Sequence, residues 1–302
     1  WGSAFMAIKA GLAYFPPVLF AALRYDVAGV VMLGYAAYAV DDPVPRGRDE
    51  WAAVAVGATL IIAAYHAFLF VGETDPAVTS AGAAVIVSLS PVMTTVFARA
   101  IIPDERLTAV GVVGLLLGLV GVVLLARPDP GNLLAGGVVA KSFVFCAVLC
   151  FSFGSVLTRW LDAGLPIETM EAYAMVGGAL LMHGISLAIG ESPAVAVDAL
   201  TGAGSLGAIA AVGYLSLVAS AAGFLIYFDL LDRLGPIEIN LVSYVAPVFA
   251  AAAGFAFLGE GVDLLTAAGF LVILVGFALV KRREIRQELP ALRRAAPRSR
   301  GD

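Results

Sequence analysis

Long apolar blocks alternate with short polar breaks along the whole chain. Eight blocks hold no Asp, Glu, Lys or Arg: residues 51–72, 76–98, 107–126, 142–158, 172–190, 199–228, 239–259 and 264–280. Each meets the roughly 17 apolar residues that a helix needs to cross a bilayer core. A ninth block covers about 18–40 and is interrupted by Arg24 and Asp26. A tenth, residues 1–13, is too short to cross alone and runs into Pro16-Pro17. It reads as the second half of a first span whose beginning is missing, with a cleaved signal peptide as the alternative. The pattern predicts an all-α polytopic membrane protein of ten transmembrane helices. Its short loops suit antiparallel neighbours.

Composition agrees and removes other classes. The 302 residues are 61% apolar and only 14% charged, where a soluble domain is nearer a quarter charged. Disorder is excluded by the same figures. Charge adds orientation. The tail after Val280 carries eight basic residues against Glu284, Glu288 and Asp302. With that tail and the alternate loops inside, 14 basic residues lie inside and four outside (Lys9, Arg24, Arg127 and Lys141). The bias predicts both termini in the cytoplasm, and Arg24 then snorkels to the outer interface. The tail, 282–302, is expected to be disordered, and its basic charge also suits anionic lipid.

An internal repeat lies beneath the ten spans. At an offset of 155, Ser88 meets Ser243, Glu105 meets Glu260, Gly114 meets Gly269 and Gly121 meets Gly276; Pro91 meets Pro247 after a one-residue slip. Gly2-Ser3 has a weaker echo at Gly154-Ser155. Five spans separate the copies, and an odd number turns the second half upside down. Residues 1–130 and 131–281 are therefore expected to be two inverted five-helix units. Inverted repeats of this kind place a solute site between the halves, near the middle of the membrane.

WGSAFMAIKAGL at the start, LRYDVAG in the second span, SLSPV with a downstream Glu, and APVFAAAAGFAFLGE near the end resemble the EamA family of the drug/metabolite transporter superfamily. The resemblance implies a ten-helix fold of two inverted repeats with cytoplasmic termini. It implies transport of small metabolites, often export of amino acids or related solutes, across the cell membrane. Two features depart from the pattern: half of the first helix is absent, and Glu73-Thr74-Asp75 makes the third loop unusually negative. Acidic loops and an excess of Arg over Lys resemble proteins of salt-loving archaea, and high genomic GC accounts for the Arg bias equally well.

The candidate site residues follow from chemistry inside a span. Pro91 and Pro247 cannot donate to the carbonyls four residues back, Val87 and Ser243, and in lipid such carbonyls need partners or a polar cavity. Paired bent helices lining the cavity, together with Ser88 and Ser243, are one reading; plain kinks are the other. His66, an ionisable group inside a span, is a functional candidate by position and could carry a proton, or could be a neutral ring bonded to a neighbouring helix. Trp1, Ser3, Tyr214, Asn240, Ser243 and Tyr244 offer the aromatic wall, hydroxyls and amide that a small amphipathic solute needs. Tyr227 reads best as an interfacial anchor. Arg24 has a sharper alternative in binding a carboxylate. Glu238, at a helix start, reads first as structural, with a role in coupling beside His66. His183 is expected at the periphery.

Other chemistry finds little footing. GAGSLG at 202–207 matches GxGxxG, but no strand precedes it. Cys146 and Cys150 stand four apart, which suits neither a redox pair nor zinc. No nucleotide loop or hydrolase motif is present. No catalytic residue, metal, cofactor or nucleic acid is expected; the partners are a small-molecule solute and membrane lipid. Gly111, Gly114, Gly118 and Gly121 form a small-residue ridge that lets helices approach closely. Packing within the bundle is the favoured use, and a homodimer is the other. A membrane enzyme acting on a lipid-linked substrate would need clustered acids or histidines. A sensor would usually bring a soluble output domain.

Overall fold

A computed structural model describes residues 1–78, 80–102, 108–126, 137–202, 205–235, 239–242, 244, 249, 264–280 and 282. Glu238, Ser243, Pro247 and most of the expected ninth span lie outside the described residues. The described chain is helical without strands. Its helices are α1 (Ala4–Gly11), α2 (Pro17–Ala39), α3 (Arg48–Thr74), α4 (Ser80–Val87), α5 (Ser90–Ile101), α6 (Ala109–Ala126), α7 (Val138–Leu161), α8 (Ile167–Ala188), α9 (Pro193–Thr201), α10 (Ser205–Leu234) and α11 (Leu264–Val280). Lipid offers the backbone no hydrogen bonds, and a helix satisfies its own. Among the described residues, five helices are long and apolar enough to cross a membrane: α2, α3, α4 with α5, α7 and α10. α8 and α9, bent by 112° to each other, make a sixth if the pair is one span. The molecule is a multi-pass membrane protein.

Local chemistry marks where helices start. Pro16-Pro17 opens α2, where a missing N–H costs nothing. Both oxygens of Glu191, from the turn after α8, accept the Val18 and Leu19 N–H groups at 3.0 and 2.7 Å. A carboxylate on free N–H groups suits the positive end of a helix dipole. At α3, Glu50 Oε2 accepts the N–H of Arg46 at 2.6 Å.

Two spans depart from their expected outlines. The 76–98 span is broken at Ser88-Leu89, and α5 restarts with Pro91 in its first turn. The 199–228 span begins at Ser205, because residues up to Thr201 belong to α9. Two spans also widen internally. Residues Gly57–Ala64 of α3 and Tyr214–Ala222 of α10 wind as π-helix, with i→i+5 bonds. Gly57 and Tyr214 are 157 positions apart, close to the repeat offset of 155.

The glycine ridge on α6 packs inside the bundle, against α11. A Cβ added at Gly114 would stand 2.5 Å from the Gly276 carbonyl oxygen, and one added at Gly121 would stand 2.8 Å from that of Gly269. Hydrogen is the only side chain that fits at either place. The two helices run antiparallel through this contact, since Gly114 meets Gly276 while Gly121 meets Gly269. These are the residues that the repeat equates, with their partners exchanged.

Candidate solute cavity

Residues of α1 to α5, α7 and α10 line a cavity of about 50 Å³, room for a few waters. Trp1, Arg24, His66, Ser90, Phe151 and Phe224 line it, with apolar side chains between them. The first three belong to the first half of the repeat; Phe151 and Phe224 belong to the second.

His66 sits two residues beyond the wide segment of α3. Its Nδ1 lies 2.8 Å from the Ile62 carbonyl oxygen. A carbonyl only accepts, so Nδ1 carries the hydrogen. In the neutral ring Nε2 is then the acceptor, and it takes the Tyr25 O–H at 2.8 Å. The side chain is buried, at 2% exposure, among Tyr25, Tyr65, Phe70 and Phe224. This geometry places His66 on the cavity wall, bonded to α2 through Tyr25 and to its own helix through Ile62.

Trp1 does the corresponding job on α10. Gly223 N–H bonds the Val218 carbonyl, five residues back. That stretched register skips the next carbonyl, Ala219. The Trp1 indole N–H donates to it at 2.8 Å. In α3, Tyr65 N–H likewise bonds Leu60, five back, and the His66 imidazole takes a carbonyl just beyond. A ring N–H thus serves the end of each π segment, and both rings face the cavity.

Arg24 corrects an expectation. It does not snorkel to an interface: it is 2% exposed and lines the cavity. Its Nε donates to Ser220 Oγ at 2.5 Å, and its guanidinium carbon lies 5.1 Å from the centre of the Tyr25 ring. Asp26 points elsewhere, 2.8 Å from His183 Nε2, outside the cavity.

The remaining candidates scatter. The Val87 carbonyl, freed by Pro91, accepts the Ser90 hydroxyl at 2.7 Å; Ser90 lines the cavity and was missed. Ser88 turns back to Ala84 O at 2.7 Å. Ser3 and Tyr214 share a hydroxyl–hydroxyl bond of 2.5 Å on a more open side. Tyr244 leaves the site: its hydroxyl donates to Leu115 O at 2.9 Å on α6. Asn240 is fully buried and bonds the Tyr227 hydroxyl. Tyr227 is no interfacial anchor, being 2% exposed. Ser155 gives its own hydrogen to Phe151 O, so Tyr227 donates to Ser155, at 2.5 Å. Tyr227 also packs on Trp1. Sequence reasoning also missed Tyr25, Tyr65, Phe151 and Phe224, whose apolar surroundings mark them only as core.

The model of the EamA-like transporter family matches residues 1–127 and again 139–282. The chain belongs to the EamA-like transporter family. Relatives of this EamA-like protein span nearly its whole length. The "Uncharacterized transporter" of Archaeoglobus fulgidus is 27% identical over 94% of this chain and 95% of its own. The "Uncharacterized inner membrane transporter YedA" of Escherichia coli is 28% identical over 93% and 86%. The "Probable terminal-alkyne amino-acid exporter" of Streptantibioticus cattleyicolor is 28% identical over 94% and 91%. A solved crystal structure matches the fold with a TM-score of 0.75 at 22% identity, covering 94% of both chains.

Proposed function

We propose that this EamA-like protein is a secondary transporter of small organic metabolites such as amino acids, working as an exporter in the cell membrane. It has ten helices in two inverted units, 1–130 and 131–281, with a basic tail at 282–302 and both termini in the cytoplasm. The halves rock about the cavity between them, exposing it to each side in turn. One observation carries the reading: a cavity walled by Trp1, Arg24 and His66 from one half and Phe151 and Phe224 from the other. A space open to a few waters is what a carrier needs between its two open states. The exchanged glycine pairs of α6 and α11 and the π segments 157 positions apart support the inverted repeat. The amino-acid exporter among the relatives supports the substrate class and direction.

Proteoliposomes loaded with a labelled amino-acid and metabolite panel test the proposal, with and without an imposed pH gradient. At least one solute should move, and His66→Ala and Asn240→Ala should each reduce the flux while expression holds. A flux driven by the pH gradient and lost in the His66 variant would make that ring the coupling group, with Glu238 the next residue to test. Failure to move any solute under any gradient would remove the transporter reading.

A further inference from the structure

Arg24 is a buried cation with room on one side. Its Nε is held by Ser220, and Tyr25 stacks beside it. Among the described residues its guanidinium makes no ion pair and no second hydrogen bond. No ion pair or hydrogen bond joins it to the two buried carboxyl groups, Glu73 and Glu171. A buried charge is costly unless it is paired, and removing a pair's partner costs several kcal/mol for the same reason. The cavity wall supplies no described carboxylate. Trp1, Phe151, Phe224 and Leu69 make most of that wall apolar.

We infer that Arg24 is the recognition residue of the solute site, and that it takes the carboxylate of an organic acid with an apolar body. This rests on the transporter reading for its physiological meaning but not for its binding chemistry. The free Nη edge presents parallel N–H groups, the fork that matches two carboxylate oxygens. Ser220 holds the Nε side and so fixes which edge faces inward. Once the cavity widens beyond its room for a few waters, the apolar rings cover the rest of the solute. A solute amine meets no opposite charge among the described lining residues and stands near a guanidinium. The site therefore ranks a plain carboxylate above the zwitterion that carries the same side chain.

Binding to the purified full chain tests this, read from Trp1 fluorescence after Trp51→Phe and Trp160→Phe remove the other two tryptophans. The probes are 3-phenylpropanoate, its neutral amide, L-phenylalanine, phenethylamine and inorganic phosphate. The acid should bind about ten- to a hundredfold more tightly than the amide, the scale of a hydrogen bond to a charged group. L-phenylalanine should fall between them, and phenethylamine and phosphate should bind weakest. Arg24→Gln should level acid and amide, and Arg24→Lys should keep part of the difference. The acid–amide comparison needs no variant, so it stands even if a substitution prevents folding. Equal binding of acid and amide, or an undiminished preference in Arg24→Gln, would overturn the inference. Phosphate binding as tightly as the acid would overturn the apolar half of it. Acid binding without flux in proteoliposomes would remove the transporter reading and leave the site; flux of amines but not acids would do the reverse.

Discussion

Tyr25 and His66 hold each other beside the cavity, and that makes a single oxygen atom matter. Tyr25→Phe leaves His66 Nε2 buried without its donor. An unsatisfied buried acceptor costs about 1–3 kcal/mol. The variant should lose thermal stability in detergent by that amount and lose flux, while Tyr244→Phe, whose hydroxyl bonds Leu115 on α6, should keep its flux. Equal flux loss in both would mean that the Tyr25 contact is ordinary packing. At this scale the sequence is half legible. An imidazole and a guanidinium inside apolar blocks announce themselves, because polar groups in a membrane need a reason. What each group touches is not announced. Arg24 reads first as an interfacial anchor, with a site role as the sharper alternative, until Ser220, 196 positions away, is seen beside it. Tyr227 misleads for the same reason: its neighbour in sequence is Asp229, but its neighbours in space are Trp1 and Ser155.

The helices were easier to read than their interruptions. Blocks free of charge predict spans whatever their packing, and Pro91 predicts the break that falls at Ser88-Leu89. The fate of the freed Val87 carbonyl is less visible, since Ser90 takes it rather than the solute. The two π segments have no signature in the sequence at all. Their residues, GATLIIAA and YLSLVASAA, would suit an α-helix, and a ring N–H, from His66 or Trp1, bonds a carbonyl near the end of each wider turn. The contact of α6 with α11 is a better place for a strong test. Gly114→Leu would drive a side chain into the α11 backbone, where overpacking costs about 1–3 kcal/mol. Its melting temperature should fall well below that of Gly34→Leu, where nothing lies within 4 Å of an added Cβ. Similar melting for both would show that the helices can part without loss.

Across the whole molecule, the hydropathy of the chain and the order of its landmarks were enough to name a family, because neither depends on knowing a single contact. The cavity was beyond reach, because it is assembled from residues as far apart as Trp1 and Phe224. Two rings of the first half, Trp1 and His66, spend their N–H groups on backbone carbonyls, whereas the Arg24 guanidinium keeps donors free among the described residues. That division explains why one residue should control which solute is held.

Two helices that meet by exchanging equivalent glycines have no need to share a chain. The same contact could join two separate copies of one ancestral half, inserted in opposite directions, before a gene fusion linked them. That history leaves a trace that can be tested in the living cell. Residues 1–130 and 131–302, expressed from two genes in one cell, should find each other in the membrane and purify together, and Gly114→Leu in the first piece should prevent it. Pieces that never associate would mean that the link between them, rather than the glycine face, holds the halves in register.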